Sequence, residues 1–214
     1  STDASIDIIK KFQTQDNRIK LFQLEKNSGT GIARNFALQK AQGRFIAFLD
    51  ADDIWKPEKL QTQISFLQEN KLPFTFSFYE VIDEQGIKLN REVQAPKNLK
   101  YWQLHFCNFI GNLTAIYDVN YFGKVPILSI KKRQDWILWL TILKKIKTAT
   151  PVPQSLAYYR KRENSVSASK INLLKFNYSV YKNYFTYSTV TALFCMTIFL
   201  FFQFVVKPFY IKKL

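Results

Sequence analysis

Residues 45–53 have the sequence Phe-Ile-Ala-Phe-Leu-Asp-Ala-Asp-Asp, in which five apolar residues are followed at once by an acidic run. A short, continuous apolar run predicts a strand that is covered on both faces. A helix is predicted before it, over 32–42, and another after it, beginning near Pro57 and continuing through Leu67. The strand–helix alternation up to residue 72 therefore predicts an α/β domain with a mixed, mostly parallel sheet flanked by helices.

The acidic run is the first candidate site. In α/β sheets, ligands bind beyond the carboxyl ends of the strands, which is where Asp50, Asp52 and Asp53 are expected. Three carboxylates within four residues repel one another unless a cation or a basic group neutralises them. Their oxygens suit Mg²⁺ or Mn²⁺, which bind carboxylates together with substrate phosphates. Alternatively, one aspartate caps the following helix and the others are solvated. Spacing alone leaves both interpretations open.

The rest of the chain has looser patterns. A short helix is predicted after Ser1-Thr2-Asp3, and an amphipathic helix over 135–146. The other predictions are strands over 19–24, 74–81, 113–117 and 156–160, a hairpin turn at 83–86 and a polar, basic loop over 161–169.

Composition limits the class of partner. The 214 residues carry a formal net charge of +15, which favours a phosphate-bearing small molecule, an anionic membrane surface or nucleic acid. The basic residues are scattered and lack zinc-finger spacing or a glycine-rich RNA-binding signature, so nucleic acid is not expected. Cys107 and Cys195 do not suggest a disulfide framework and predict a reducing compartment. The single histidine, His105, is expected to be structural or on the surface.

The C-terminal segment has a different character. Residues 189–206 contain no charged side chain, and Lys207, Lys212 and Lys213 follow. Phe and Leu would occur on every face of a helix here, so membrane association is predicted rather than a buried terminal helix. Lysines flank both ends, so charge does not select an orientation across a bilayer. A segment that lies in the membrane interface is compatible with both flanks, and so spanning stays open.

Three ordered stretches of the first 60 residues carry a longer pattern. They are residues 27–35, Asn-Ser-Gly-Thr-Gly-Ile-Ala-Arg-Asn; residues 41–55, Ala-Gln-Gly-Arg-Phe-Ile-Ala-Phe-Leu-Asp-Ala-Asp-Asp-Ile-Trp; and residues 57–60, Pro-Glu-Lys-Leu. Together they closely resemble the family 2 glycosyltransferases of GT-A fold. The resemblance extends over roughly residues 1–167 and implies metal-dependent transfer of a sugar from a nucleotide-sugar donor, with inversion at the anomeric carbon.

The resemblance implies a donor site in the N-terminal half. In the family, an Asp-x-Asp element coordinates a divalent metal, Mn²⁺ or Mg²⁺, that is bound to the nucleotide diphosphate. By position, Asp50 would contact the donor, while Asp52 and Asp53 would bind the metal. Arg34 matches an arginine near the nucleotide, although the residues alone favour an exposed helix arginine there. Asp3 matches the end of the family's Asp-Asp-Gly-Ser-Thr-Asp segment and would contact the donor.

Two further elements complete the resemblance. Residues 133–136, Arg-Gln-Asp-Trp, resemble an acidic-residue-then-tryptophan element in which the aspartate, here Asp135, acts as the catalytic base. From the residues alone, Asp135 could instead cap its helix, and a carboxylate can do both. Arg160, with Ser165 and Ser167, resembles the family's Tyr-Arg…Ser-x-Ser loop, whose basic groups would neutralise the departing diphosphate.

One departure from the family affects the whole interpretation. Family members have a strand, a helix and a second strand before the Ser-Thr-Asp segment, and these are missing here. The sequence thus predicts an N-terminally incomplete catalytic domain over 1–169 and a membrane-associated helical tail over 170–214. The predicted function is glycosyl transfer to an envelope polysaccharide or a glycolipid, meaning a saccharide or lipid-linked acceptor, at the cytoplasmic face of the cell membrane. A catalytically impaired, membrane-bound binding protein and a nucleotidyltransferase remain as alternatives.

Overall fold

The computed structural model describes residues 3–128, 130, 132–162 and 170–214. Ser1, Thr2, Ser165 and Ser167, which the family resemblance had included, lie outside these ranges. The α-helices are α1 (Ser5–Gln15), α2 (Thr30–Lys40), α3 (Lys59–Glu69), α4 (Tyr101–Phe106), α5 (Val119–Phe122), α6 (Gln134–Ile146), α7 (Lys170–Ser179) and α8 (Thr189–Phe201). The strands are β1 (Phe45–Ala47), β2 (Ile54–Trp55), β3 (Phe74–Ile82), β4 (Lys88–Val93), β5 (Leu99–Lys100), β6 (Ile116–Asp118), β7 (Thr148–Arg160) and β8 (Ile211–Lys213).

The strands form a mixed sheet around β3, which is buried along almost its whole length. β7 runs parallel to β3 along one edge. On the other edge, β6 pairs with the beginning of β3 and β4 pairs with its end, both antiparallel. β1 extends the sheet beyond β6, and β8 extends it beyond β4. The predicted α/β sheet with flanking helices is confirmed.

The prediction that this sheet is mostly parallel is wrong for the described residues, among which only the β3–β7 pairing is parallel. Connection length is the reason. β3 and β4 are joined by the turn at 83–86, in which Gly86 has a φ of 89°, and strands joined by a tight turn pair antiparallel. β3 and β7 are separated by a crossover that contains α4, α5 and α6, which is long enough to return the chain in the same direction.

Three predicted strands differ in detail. Residues 19–24 form no strand, and none of the described strands pairs with them; apolar alternation alone cannot supply hydrogen-bond partners. The predicted strand at 113–117 is divided between a 3₁₀ turn, Asn112–Thr114, and β6. β7 begins at Thr148, well before residue 156, and it includes Pro153 at a register shift between Val152 and Ser155, where the missing N–H is tolerated.

α6 is the centre of the hydrophobic core. Its two tryptophans, Trp136 and Trp139, are fully buried. The Trp136 indole donates to the Leu104 carbonyl at 2.7 Å, and the Trp139 ring lies 5.7 Å from the Phe74 ring of β3. This packing fixes the first turn of α6, and with it the backbone of Asp135, against the sheet.

The C-terminal segment packs against this core. Thr189–Tyr210, 22 residues long, is the one helical segment in the described ranges that is long and apolar enough to cross a membrane. One of its faces is buried through Ala192, Cys195 and Phe199, the last of which lies 5.6 Å from the Trp136 ring. The large apolar residues of this segment that are exposed are Val190, Leu193, Phe194, Phe201, Phe204, Val205 and Phe209. At 100° per residue, the exposed residues of α8 fall on the side opposite the buried ones.

Candidate active site

A cleft of about 470 Å³ brings together residues that are distant in sequence. It is lined by Thr30, Arg34, Asp50, Asp53, Tyr79, Val93, Asn108, Phe109, Ile110, Gly111, Asn112, Leu113, Lys132, Arg133, Gln134, Asp135, Tyr159 and Lys207. Four of the residues expected at the site, Arg34, Asp50, Asp53 and Asp135, therefore lie around one cavity.

Arg34 and Asp50 form an ion pair on one wall of the cleft. The Arg34 Nη2 donates to Asp50 Oδ1, and its Nη1 lies 3.3 Å from the Gln134 side-chain oxygen. The Asn112 amide nitrogen lies 3.4 Å from both Asp50 carboxylate oxygens. The Arg34 side chain is only 19% exposed, so it is not the surface arginine that the residues alone favoured. The pair joins α2, the segment after β1 and the start of α6.

Asp53 is a partly buried carboxylate in the same cleft. The pKa of Asp53 is raised to about 7, chiefly by burial and to a smaller extent by the neighbouring Asp52 and Asp50 carboxylates. A hydrogen bond of 3.0 Å from the Arg160 backbone N–H to Asp53 Oδ1 opposes this shift. A carboxylate in such surroundings is stabilised in its ionised form by a cation.

Asp52 and Arg160 do not line the cleft but a neighbouring surface depression. The Arg162 guanidinium approaches Asp52 Oδ2 at 3.6 Å. The Arg160 guanidinium donates to three backbone carbonyls, those of Asp52 at 2.8 Å, Asp83 at 3.1 Å and Glu84 at 2.8 Å. Arg160 thus ties the acidic run to the β3–β4 turn, and its contact with a donor stays a prediction.

The helix-cap alternative for the acidic run is not what the structure shows. The N-cap of α3 is Glu58, and no side chain caps that helix. Asp3, by contrast, contacts the start of a helix. Its Oδ1 accepts a hydrogen bond of 3.1 Å from the N–H of Ser5, the first residue of α1. Asp3 is exposed and is not among the residues that line the cleft, so its donor contact also stays a prediction.

Asp135 lies in the first turn of α6 with its carboxylate toward the cleft. The N-cap of this helix is Arg133, without a side-chain cap, so Asp135 does not cap its own helix. Its Oδ2 accepts a hydrogen bond of 3.1 Å from the Asn108 side-chain amide. The helix N-terminus favours a negative charge at this position. An ionised carboxylate in an open cavity can accept a proton from a bound hydroxyl group.

The acidic residues fit a divalent cation only together with a ligand. Among the described residues, no three His, Cys, Asp or Glu side chains converge on a point that could hold a metal ion. Mg²⁺ and Mn²⁺ sites that act on nucleotides need only one or two carboxylates, because substrate phosphates supply further oxygens. Asp53 lines the cleft and its pKa is raised chiefly by burial, so a cation bound there would favour the ionised carboxylate.

Sequence reasoning missed several residues of the cleft. Arg133 and Gln134 stand directly before Asp135, and that adjacency was a usable signal. Asn108 and Lys207 carried no local signal: Lys207 reaches the cleft from the tail, where its Nζ donates to the Asn108 carbonyl at 3.0 Å across 99 positions of sequence.

His105 has a structural role, as expected. It is buried among the rings of Phe106, Tyr181, Phe185 and Tyr187, at centroid distances between 4.3 and 5.9 Å. Burial lowers the pKa of His105 to about 4. The ring is not among the groups that line the cleft.

The match to a family model decides the classification. Residues 1–121 match the model described as Glycosyl transferase family 2. The chain belongs to glycosyl transferase family 2. This family 2 chain is 40% identical over 182 residues to TuaG of Bacillus subtilis (strain 168), a glycosyltransferase assigned to teichuronic acid biosynthesis, covering 85% of this chain and 72% of the relative. It is 37% identical over 172 residues to WfgD of Escherichia coli, a UDP-Glc:alpha-D-GlcNAc-diphosphoundecaprenol beta-1,3-glucosyltransferase, covering 80% and 67%.

Solved structures share the fold of the family 2 chain. S. aureus TarS 1–349 in complex with UDP-GlcNAc superposes with a TM-score of 0.63 at 20% identity, covering 95% of this chain and 62% of TarS 1–349. The mannosyltransferase PcManGT from Pyrobaculum calidifontis, in complex with GDP-Man and Mn²⁺, superposes with a TM-score of 0.62 at 12% identity, covering 98% and 60%. The chain therefore spans less than two thirds of either solved chain.

Proposed function

We propose that this chain transfers a sugar from a nucleotide-sugar donor to a lipid-linked saccharide of the cell envelope, with inversion at the anomeric carbon. The observation that carries the proposal is the single cleft in which the Arg34–Asp50 pair, the Asp53 carboxylate and Asp135 lie together. The names of the two relatives support the class of acceptor, and the ligands of the two solved structures support a nucleotide-sugar donor.

The donor is assigned to the Arg34–Asp50 wall. Arg34 is fixed by Asp50 and Gln134 and so presents its remaining guanidinium hydrogens in a fixed direction. Asp50 and Asn112 offer further hydrogen-bonding groups beside it. Such a wall can orient a nucleotide, whose position then determines where the anomeric carbon lies relative to the base.

The metal is assigned to Asp53 and Asp52, as the family resemblance implies. Asp53 already faces the cleft. In the part of the chain that the structure describes, the Asp52 carboxylate pairs with Arg162 at 3.6 Å, with both side chains well exposed, and an ion pair of that kind contributes little to stability. Its carboxylate can therefore turn toward a bound diphosphate at small cost. A bound Mn²⁺ or Mg²⁺ supplies positive charge that stabilises the departing nucleotide.

Asp135 is assigned as the base. Its carboxylate accepts the proton of the acceptor hydroxyl as that oxygen attacks the anomeric carbon and the bond to the nucleotide diphosphate breaks. A single displacement from the side opposite the leaving group inverts the anomeric centre. Asn108 holds Asp135 in place through its side-chain amide and leaves the second carboxylate oxygen, Oδ1, for the acceptor.

The membrane is assigned to the exposed apolar face of Thr189–Tyr210, and we propose that this helix lies in the interface rather than across the bilayer. The residues before it contact the domain, since the Tyr181 hydroxyl donates to the His105 carbonyl. The residues after it form β8, which pairs with β4 in the sheet. Both ends are therefore held by the same domain, and an in-plane helix with a lipid-facing side is compatible with this arrangement. Because nucleotide sugars are cytoplasmic metabolites, the proposal places the domain at the cytoplasmic face.

Calorimetric titration with UDP, with and without Mn²⁺, tests the donor and metal assignments. We expect UDP binding that depends on Mn²⁺ and that weakens at least about tenfold in Asp53→Asn, because a charged ligand oxygen is lost. Glu69→Gln, which removes an exposed carboxylate at the end of α3, is the matched control and should bind as the wild type does.

Three outcomes separate the alternatives. Absence of Mn²⁺-dependent UDP binding would contradict the donor-site proposal. Binding of UDP without transfer from a panel of UDP-sugars to undecaprenyl-diphosphate saccharides, measured by mass spectrometry, would indicate a catalytically impaired binding protein. Release of diphosphate from a nucleoside triphosphate would indicate a nucleotidyltransferase instead.

A further inference from the structure

Two cationic side chains beside the base are not used by the proposed donor site. Arg133 and Lys207 both line the cleft. Arg133 Nε donates to the side-chain oxygen of Asn177 at 2.6 Å, and Lys207 Nζ donates to the Asn108 carbonyl at 3.0 Å. In the described ranges, neither forms an ion pair with a carboxylate within 4.0 Å. Within the described part of the chain, each of these cations thus donates to a neutral oxygen.

Burial makes these two cations unusual. Removal from water lowers the pKa of both Arg133 and Lys207. The negative charge of Asp135 raises the pKa of both groups, so Asp135 is close enough to interact electrostatically with Arg133 and Lys207. Arg133 also has a left-handed backbone, with a φ of 70°, which non-glycine residues seldom adopt. Two partly desolvated cations at one end of a cleft provide a place for an anion.

Asn108 connects this pair to the base. Its side chain donates to Asp135, and its backbone carbonyl accepts from Lys207. Lys207 consequently lies beside Asp135 through Asn108, whereas the donor diphosphate is assigned to the Asp50–Asp53 segment. An anion bound here belongs to the molecule whose hydroxyl faces Asp135, which is the acceptor.

Lys207 also connects the cleft to the lipid-facing helix. It lies within Thr189–Tyr210 and falls in sequence between Phe204 and Phe209, whose side chains are exposed. A ligand that reaches Lys207 from the membrane has its lipid chain near these two rings and its polar head at the cleft. A lipid diphosphate has this chemistry: an apolar chain joined to a doubly anionic group that binds Lys and Arg.

We propose that Arg133 and Lys207 form a subsite for the diphosphate of a lipid-linked acceptor, so that the sugar attached directly to that diphosphate presents its hydroxyl to Asp135. This inference rests on the proposed function and deepens it. In the proposed acceptor site, Asn108 contacts both Lys207 and Asp135, so the diphosphate and the attacking hydroxyl are close together. The inference therefore implies that the chain acts early in saccharide assembly, on a lipid diphosphate that carries a short saccharide.

The test compares Lys207→Met with Lys212→Met. Both variants remove one lysine charge from the C-terminal segment, but Lys212 is exposed on β8 and does not line the cleft. With a farnesyl-diphosphate-linked GlcNAc acceptor, we expect Lys207→Met to raise the acceptor KM at least about tenfold, since a hydrogen bond to a charged group is lost. Lys212→Met and the rescue variant Lys207→Arg should stay near the wild-type KM.

Three readouts identify the source of the anion. Calorimetric titration with inorganic diphosphate alone measures whether free anion suffices, and we expect binding much weaker than that of the lipid-linked acceptor. The KM of a phosphate-free alkyl GlcNAc acceptor should be unchanged in Lys207→Met. The affinity of Lys207→Met for UDP in the presence of Mn²⁺ should also equal that of the wild type. An equal loss with the phosphate-free acceptor, or a loss of UDP binding, would overturn the subsite.

The same titrations keep this inference separate from the proposed function. If UDP fails to bind with Mn²⁺ in the wild type, the donor assignment fails whatever Lys207 does. If UDP binds normally but the lipid-linked acceptor binds Lys207→Met as tightly as the wild type, only the acceptor subsite is wrong. Calorimetric titration of the lipid-linked acceptor into the wild type and Lys207→Met measures its binding without turnover, so this result, unlike the KM, can be obtained from a chain that does not catalyse transfer.

Discussion

At the scale of single residues, the cleft separates two groups of carboxylates by their surroundings. Asp50 is paired with Arg34, and Asp53 is buried beside two other acids. Asp135 instead has a neutral amide partner, Asn108, and lies at a helix N-terminus. These surroundings suit a charge-holding role for the first group and a proton-accepting role for Asp135.

Replacing the proposed base should affect turnover and not donor binding. Asp135→Asn preserves shape but cannot accept a proton, so we expect kcat to fall about 10²–10⁴-fold. UDP affinity in the presence of Mn²⁺ should stay within about twofold of the wild type, since the donor is assigned to another wall. Steady-state kinetics and calorimetry measure the two effects. Equal losses of UDP affinity and of turnover would show that Asp135 belongs to the donor site.

At the scale of secondary-structure elements, the tail helix is held at both ends. Asn183 lies before it and is exposed, while Leu214 follows β8 and is 62% exposed. The Leu214 N–H donates to the Asn90 carbonyl at 3.0 Å, which completes the attachment to β4. A helix of 22 residues is about 33 Å long, enough to cross a hydrocarbon core, so length does not decide its orientation. The proposal of an in-plane helix rests instead on the β4–β8 pairing.

Labelling with a membrane-impermeant maleimide should distinguish an in-plane helix from a spanning one. We expect Asn183→Cys and Leu214→Cys to react equally when the protein is bound to the outside of sealed vesicles, because both ends stay with the domain. The native cysteines, Cys107 and Cys195, are buried, so the unmodified chain serves as the blank. If one introduced cysteine reacts only after detergent is added, the helix crosses the bilayer.

At the scale of the whole molecule, the aromatic cluster around His105 joins the tail region to the core. Rings from α4 and from the segment that precedes α8 surround the imidazole, and the titratable groups that face it are Tyr101, Tyr181 and Tyr187. Because the cluster contains the single histidine of the chain, its contribution to folding stability depends on pH in a way that one substitution can isolate.

The sign of that dependence follows from the lowered pKa. The imidazole has a pKa of about 4 in the folded chain against 6.5 for the free group, so between these values the unfolded chain binds the proton more strongly. Stability therefore falls as the pH drops from 6.5 toward 4. Urea denaturation at pH 7 and at pH 5 measures the free energy of unfolding. Between these two pH values, we expect this free energy to fall by about 1–2 kcal/mol less in His105→Phe than in the wild type. Tyr187→Phe, which keeps the imidazole, should retain the wild-type loss; equal losses in His105→Phe and wild type would show that His105 is not the group responsible.

Local pattern located part of the candidate site. The periodicity of α6 predicted the helix whose first turn contains Asp135, whereas β1 ends at Ala47, before the acidic run, and only Ile46 of β1 is buried. Such predictions depend on residues near in sequence, which share one helix or strand whose period determines which of them face the core. The same limit explains the errors: strand direction in the sheet depends on connections and partners that no local window contains.

By itself, then, the sequence determined the family, the mixed α/β class, the acidic run and the apolar tail. Only the tertiary structure decided which of these groups meet. In the tertiary structure, Asp52 and Arg160 line a neighbouring depression rather than the cleft. β8 pairs with β4, and Lys207 donates to the Asn108 carbonyl beside the proposed base. The reason is physical: contacts across about a hundred residues depend on how whole elements pack around a common core, and no periodicity in the chain encodes that packing directly.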